Sequence, residues 1–264
     1  MKFAVAQLQE GSAGDRMITA DDFVIVLDGA TSFDPEMPDA GTYVGVLGNY
    51  LRERLCASVE DLRAALADSI RATADELELI PGRAPSSTVA IARLHRGSIE
   101  TLLLGDSQIV VGGSSGSLTV VTDGRLSALD LDESREYRRR LGAGSGYDDT
   151  HGRLLELLQR KQRQFRNRLG GYWIAEADTN AADYAISSFH PVEDVAWLAL
   201  ATDGAADRFA TLDISWTHVA GSDSDGLARL LAECHRWEAE NDPGGKLVPR
   251  AKPHDDKTVV VATR

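Results

Sequence analysis

The sequence predicts an α+β fold in which antiparallel β-sheets carry helices on their outer faces. Three observations support this. Strand-like and helix-like segments come in groups along the 264 residues instead of alternating one by one, which argues against a doubly wound parallel sheet. Some strands read as unbroken apolar runs, Phe23–Leu27 and Val195–Ala201 most clearly, as strands covered on both faces do. The helical segments carry one apolar stripe each, as helices lying on a surface do. No repeat or low-complexity linker divides the chain, so residues 1–264 are expected to form one domain.

The elements follow in order. Lys2–Leu8 alternates like a strand, and Phe23–Leu27 is a buried one that ends at the turn signal Asp28-Gly29. From Asp39 to Ala57, apolar residues fall at Val44, Leu47, Leu51 and Leu55, a helical stripe. From Val59 to Leu79 they fall at Leu62, Leu66, Ile70 and Leu77, a second helix that Pro81-Gly82 stops. Four short strands are expected at Thr88–Leu94, Ile99–Leu104, Ile109–Gly112 and Leu118–Thr122, with Gly112–Gly116 as a hairpin loop. Helices are expected near 132–141 and 150–169, separated by Gly142–Gly146. Strand-like pieces return at Tyr172–Ala175 and Ala185–Phe189, followed by the buried run Val195–Ala201. Leu227, Leu230, Leu231, Cys234 and Trp237 mark a helix, and Thr258–Ala262 a final strand.

Composition narrows the function. Apolar residues make up 43% of the chain, too many for wholesale disorder. With 28 Lys and Arg against 41 Asp and Glu the net charge is −13, so the protein has no general electrostatic reason to bind nucleic acid. No apolar run approaches a membrane span, and the N-terminus lacks the apolar core of a secretory signal. Cys56 and Cys234 are too few for a disulfide framework; both read as small buried hydrophobes, and a reducing cytoplasm fits them. Charge is uneven: residues 135–168 hold ten basic residues and four acids, a local +6. That segment reads either as a solvated helix face or as a surface steering an anionic or protein partner.

Aspartates recur where apolar strands stop. Asp28 follows Phe23–Leu27, Asp106 follows Leu102–Gly105, Asp203 follows the strand at 198–201 with Asp207 four residues on, and Asp255-Asp256 precede Lys257–Val261. One such aspartate is an ordinary turn residue. Several brought to one edge would repel one another, and a hard divalent cation is their natural partner.

In order and spacing, Asp28-Gly29, Ser86-Ser87-Thr88, Gly105-Asp106-Ser107, Thr202-Asp203-Gly204-Ala205-Ala206-Asp207 and Asp255-Asp256-Lys257-Thr258 resemble the metal-dependent serine/threonine phosphatases of type 2C, the PPM family. The resemblance runs from about residue 3 to 263. It implies a four-layer α-β-β-α sandwich of two antiparallel sheets flanked by helices. It implies Mn²⁺ or Mg²⁺, two ions and a third, looser one. Asp28 would bridge the pair with the Gly29 carbonyl as a further ligand; Asp203 and Asp255 would complete the two shells; Asp106 and Asp207 would hold the third ion. Asp256 would support the shell, and Ser87-Thr88 would pack beside the site. The implied chemistry is attack of a metal-bridging water on phosphorus, in line, while the metals neutralise phosphoryl charge. The substrate is then phosphoserine or phosphothreonine in a protein, or a small phosphate ester. A protein nucleophile is not needed: the sequence has no Cys-x₅-Arg loop, and its Gly-x-Ser-x-Gly string, Gly112–Gly116, falls in the expected hairpin loop between two strands instead of at a strand-to-helix elbow.

The chain also departs from the family pattern. Of the N-terminal acidic cluster only its last acid remains, as Asp15; Gly14 stands where a Glu precedes it. Glu10 occupies the usual phosphate-binding Arg position. Residue 30 is Ala where some members carry a His. Arg16 and Arg250 are the candidates to clamp substrate phosphate instead, and His254, beside Asp255, is either near the metals or a loop histidine. These departures leave two alternatives open: a catalytically weak or inactive type 2C-like signalling module, and an acidic scaffold acting through residues 135–168.

Overall fold

Ten antiparallel strands form two sheets in the computed structural model, which describes residues 1–10, 14–30, 38–57 and 61–263. Numbered along the chain, one sheet runs β1 (Lys2–Leu8), β10 (Lys257–Thr263), β9 (Val195–Ala201), β6 (Gln108–Gly113), β7 (Leu118–Thr122). The other runs β2 (Asp15–Thr19), β3 (Phe23–Gly29), β4 (Ser87–His95), β5 (Ser98–Leu104), β8 (Ile186–Pro191).

Side-chain alternation sorts each strand between two cores. On β3, Val24 and Val26 meet Leu198, Leu200 and Val260 between the sheets. Its odd-numbered Phe23, Ile25 and Leu27 meet Leu47 and Leu51 of α1 (Ala40–Ala57) and Leu66 and Ile70 of α2 (Leu62–Glu76). The opposite outer face packs Ala199, Ala201, Val259 and Val261 against α5 (Asp203–Thr211), α6 (Trp216–Ala220) and α7 (Ser224–Glu240). Three apolar interfaces therefore separate four layers, as expected. The apolar runs are continuous because these antiparallel strands are buried on both sides.

Helix starts follow capping chemistry. Asp39 accepts from the Thr42 amide at 3.0 Å ahead of α1, and Asp223 accepts from the Gly226 amide at 2.8 Å ahead of α7. The basic stretch forms a hairpin of α3 (Asp132–Gly142) and α4 (Asp149–Phe165), whose start Asp148 caps through the His151 amide at 2.8 Å. Tyr137, Leu141 and Leu158 give the hairpin a small core of its own.

The structure corrects several expectations. Tyr172–Ala175 is not a strand: it makes two isolated bridges, Tyr172 to Arg166 and Ala175 to Ser87, the latter where β4 runs past the end of its pairing with β5. Trp173 goes to the core and stacks on Tyr184. The expected helix at 150–169 stops at Phe165, because Arg166 is extended and Asn167 has φ +50°. The start expected for α2 at Val59 lies outside the described residues; the helix is described from Leu62. Strand β2 and helices α5 and α6 were not anticipated; all three are short, so periodicity has little to act on. Cys234 is buried as expected, whereas Cys56 is exposed.

Candidate metal centre and adjoining cleft

The candidate acids come to one edge of the sandwich, where five chain segments meet. Asp15 opens β2 and Asp28 nearly closes β3, and the two are register partners. Both lie on the inter-sheet side of their strands, continuing the line of Met17, Val24 and Val26. Asp106 sits in the turn between β5 and β6, Asp203 and Asp207 on the first turns of α5, and Asp255 two residues before β10.

Electrostatics show how close these groups are. Burial, and then the charges of Asp15, Asp203 and Asp255, push the Asp28 carboxyl well above its ordinary range; Asp203 also shares a hydrogen bond with it. Asp15 is pushed up to about 7, by burial first and against the hydrogen bonds of Thr258 and Thr202. Asp106 is likewise pushed up to about 7 by burial and by Asp203 and Asp207. Asp255 and Asp207 are raised as well, burial leading in both. Such a cluster stays ionised only when a cation compensates it.

Its donors suit a hard divalent cation. Thr202 and Thr258 donate to Asp15 Oδ2 at 3.0 and 2.7 Å, while buried Oδ1 has no hydrogen-bond partner among the described residues. That orphaned oxygen, together with Asp28, Asp203, Asp255 and the Gly29 carbonyl, is an all-oxygen set of the kind Mn²⁺ and Mg²⁺ prefer. Asp106 and Asp207 form a second lobe beside Asp203.

Close backbone packing fixes the loops. The Gly29 amide donates to the Gly14 carbonyl at 2.8 Å, and a Cβ on Gly14 would stand 3.0 Å from the Gly29 carbonyl oxygen and 3.2 Å from Asp256 Oδ2. The family's Glu at position 14 thus has no room in this local arrangement. Asp256 instead accepts from the amides of Glu10 at 2.5 Å and Gly14 at 2.8 Å, tying the β1–β2 connection to the start of β10. A Cβ on Gly204 would lie 2.1 Å from the Asp256 carbonyl oxygen. Gly204→Ala must push α5 off the Asp255-Asp256 backbone. We expect a loss of about 3 kcal/mol, read as a melting temperature lower by roughly 10 °C. An unchanged melt would show that the contact is slack.

The site opens on a cleft of about 280 Å³ lined by Asp106, Asp203, Arg138, Lys252 and the polar flank of α4. Lys252 Nζ lies 2.7 Å from Asp255 Oδ1. Burial opposes its charge, yet Asp255, Asp28 and Asp203 hold its pKa above the ordinary value. Arg138 reaches in from α3, close enough to oppose the rise in the Asp207 pKa. Neither residue was singled out from the sequence; Lys252 lies in the basic approach before Asp255, and Arg138 in the basic hairpin.

The two arginines expected to clamp phosphate are engaged elsewhere. Arg16 lies on the helix-facing side of β2 and donates to Asn49 of α1 at 3.1 Å. Arg250 donates to Asp242 Oδ2 at 2.7 Å, to the Asp242 carbonyl at 2.8 Å and to the Pro253 carbonyl at 2.9 Å. His254 contacts Glu238 at 3.0 Å. Thr88 packs as expected, its hydroxyl 2.7 Å from that of Ser107.

The fold is shared with solved protein phosphatases. Solved structures similar to the chain include a bacterial serine phosphatase (14% identity, TM-score 0.63, covering 100% of this chain and 97% of that one). Serine/threonine phosphatase Stp1 from Staphylococcus aureus is similar at 13% identity and TM-score 0.62, covering 100% and 94%. The catalytic domain of serine threonine protein phosphatase PstP, solved with 2 manganese ions, is similar at 14% identity and TM-score 0.56, covering 99% and 97%. No curated protein sequence matches the chain. The model of the protein phosphatase 2C family matches residues 16–248, and the chain belongs to that family. Among the described residues no helix is long and apolar enough to cross a membrane.

Proposed function

We infer that residues 1–264 act as one Mn²⁺- or Mg²⁺-dependent phosphatase domain, a phosphoric monoester hydrolase taking phosphoserine or phosphothreonine from proteins. The observation that carries this is the meeting of Asp15, Asp28, Asp203 and Asp255 in one buried cluster beside a cleft that also holds Lys252 and Arg138. Asp28, Gly29, Asp203, Asp255 and Asp15 would hold two ions, and Asp106 and Asp207 a third. When bound, such ions acidify a water and neutralise charge on phosphoryl oxygens. The chain's own residues do the rest. Thr202 and Thr258 fix Asp15 through Oδ2 and so aim Oδ1. Asp256 holds the Glu10 and Gly14 amides in place. Lys252, which in this structure pairs with Asp255, would be the ammonium nearest the cluster for the substrate's phosphoryl group, and Arg138 lines the same cleft. Unpaired Cys56 and Cys234 fit signalling work in a reducing cytoplasm.

The test is hydrolysis of p-nitrophenyl phosphate and of a phosphothreonine peptide across a Mn²⁺ titration. Metal-dependent turnover of both is expected; none at saturating Mn²⁺ sinks the reading. Lys252→Ala should raise KM about tenfold or more, the worth of a charged hydrogen bond. Arg250→Ala should leave KM unchanged and lower the melting temperature, since its donors serve the Asp242 loop.

A further inference from the structure

A separate cluster lies on the far side of the Asp255 segment. His235 and Glu238 are three residues apart on α7 and so share a face. His254, from the loop before β10, closes on them. One ligand atom from each lies within 4.8 Å of the other two. The imidazole centroids are 4.3 Å apart, and His254 Nδ1 is 3.0 Å from Glu238 Oε2. A fourth group stands beside them: Glu10 Oε1 is 3.0 Å from His235 Nδ1. That contact is close but not aligned, and His235 Nδ1 is buried without a hydrogen-bond partner among the described residues.

We propose that His235, His254, Glu238 and Glu10 form a binding site for a Zn²⁺-type cation, distinct from the all-aspartate centre. Two imidazoles and two carboxylates are a donor set for a late first-row metal; Mg²⁺ favours all-oxygen shells and competes poorly for it. The surroundings suit a structural site. Glu238 Oε2, the oxygen that faces His254, also accepts from Lys257 Nζ at 2.9 Å, while Oε1 lies 3.6 Å from Arg208 Nε. Partners of this kind orient a ligating carboxylate. His235, His254 and Glu10 have side chains about one-third exposed or less, which leaves an entry path. Three ligand atoms already cluster, and Glu10, beside His235, would be the fourth, leaving no open position for chemistry, so the ion's role is to clamp. It joins the β1–β2 connection, α7 and the loop that carries Lys252 and Asp255. Without it, those segments meet here through the Glu238 pairs and the Glu10–Asp256 hydrogen bond.

The test uses the full chain saturated with Mg²⁺ and titrated calorimetrically with Zn²⁺. One Zn²⁺ per chain is expected. His235→Ala should weaken its Kd by at least ~100-fold, beyond the cost of losing an outer partner, with the metal-free melting temperature unchanged. Asp203→Ala should retain the ion. Co²⁺ in its place should give the visible absorption of a tetrahedral site, lost in His254→Ala. The proposal is overturned if the Mg²⁺-saturated protein takes up no Zn²⁺, if His235→Ala binds it as well as the parent, or if Asp203→Ala loses it. Zn²⁺ uptake is read without turnover, so a failed phosphatase assay leaves this outcome untouched.

Discussion

Asp28→Asn should lower Mn²⁺-dependent hydrolysis of p-nitrophenyl phosphate by at least ~10³-fold, because a carboxylate proposed to serve two ions would do more than the single donor whose loss costs 10²–10³ elsewhere. The side chain keeps its shape, so the effect isolates charge. Asp28 sits at the middle of the cluster, raised by Asp15, Asp203 and Asp255 together, and an amide there removes the position at which two cations would be neutralised at once. The same substitution should stabilise the metal-free protein, since a buried carboxyl among like charges is replaced by a neutral group. Turnover and melting temperature should therefore move in opposite directions. Lost activity with a lowered melt would mean that the variant had misfolded; retained activity would remove Asp28 from the metal centre.

The second large effect is a pH-dependent response to metal. Asp15 and Asp106 are raised from 3.8 to about 7, and Asp28 and Asp255 are raised with them. A carboxyl with a raised folded pKa binds more protons folded than unfolded, so its stabilisation is complete below 3.8 and is lost as pH climbs through about 7. At 1.36 kcal/mol per unit, Asp15 alone accounts for ~4 kcal/mol. Mn²⁺ replaces the protons and reverses the loss at the upper end. The melting temperature in Mn²⁺ minus that in chelator should be small at pH 5 and reach roughly 10 °C by pH 8. Taking the difference cancels groups that titrate alike in both. Two parallel curves would mean that the acids do not bind the metal.

Much of this was legible in the sequence, for identifiable reasons. Val195–Ala201 and Lys2–Leu8 are recovered to the residue, because burial on both faces or on one leaves an unmistakable apolar pattern. Asp28, Asp106, Asp203 and Asp255 were legible because each stands beside such a pattern at a strand end, whereas Asp15, on the unanticipated β2, was reached only through the family resemblance. The supporting groups were not. Thr202 and Thr258 sit inside recognisable motifs, but their common target, Asp15, lies 187 and 243 residues away. Lys252 and Arg138 look like surface charge until α3, α4 and the loop before β10 are folded around one cleft. Arg250 misled for the converse reason: it lies near Asp255 in sequence, but its side chain is taken by Asp242, eight residues before it.

The placement of β10 affects how the protein is made. It follows every other described strand in sequence, yet it lies inside its sheet, between β1 and β9. On the ribosome, β1 waits with an open edge until residues 257–263 emerge, and that strand brings Asp255 and Thr258 with it. A nascent chain stopped short of residue 255 lacks one of the acids and one of the two threonines that hold Asp15. The acid cluster is therefore completed only when β10 inserts, and products cut before it should lack the full cluster and expose the β1 edge.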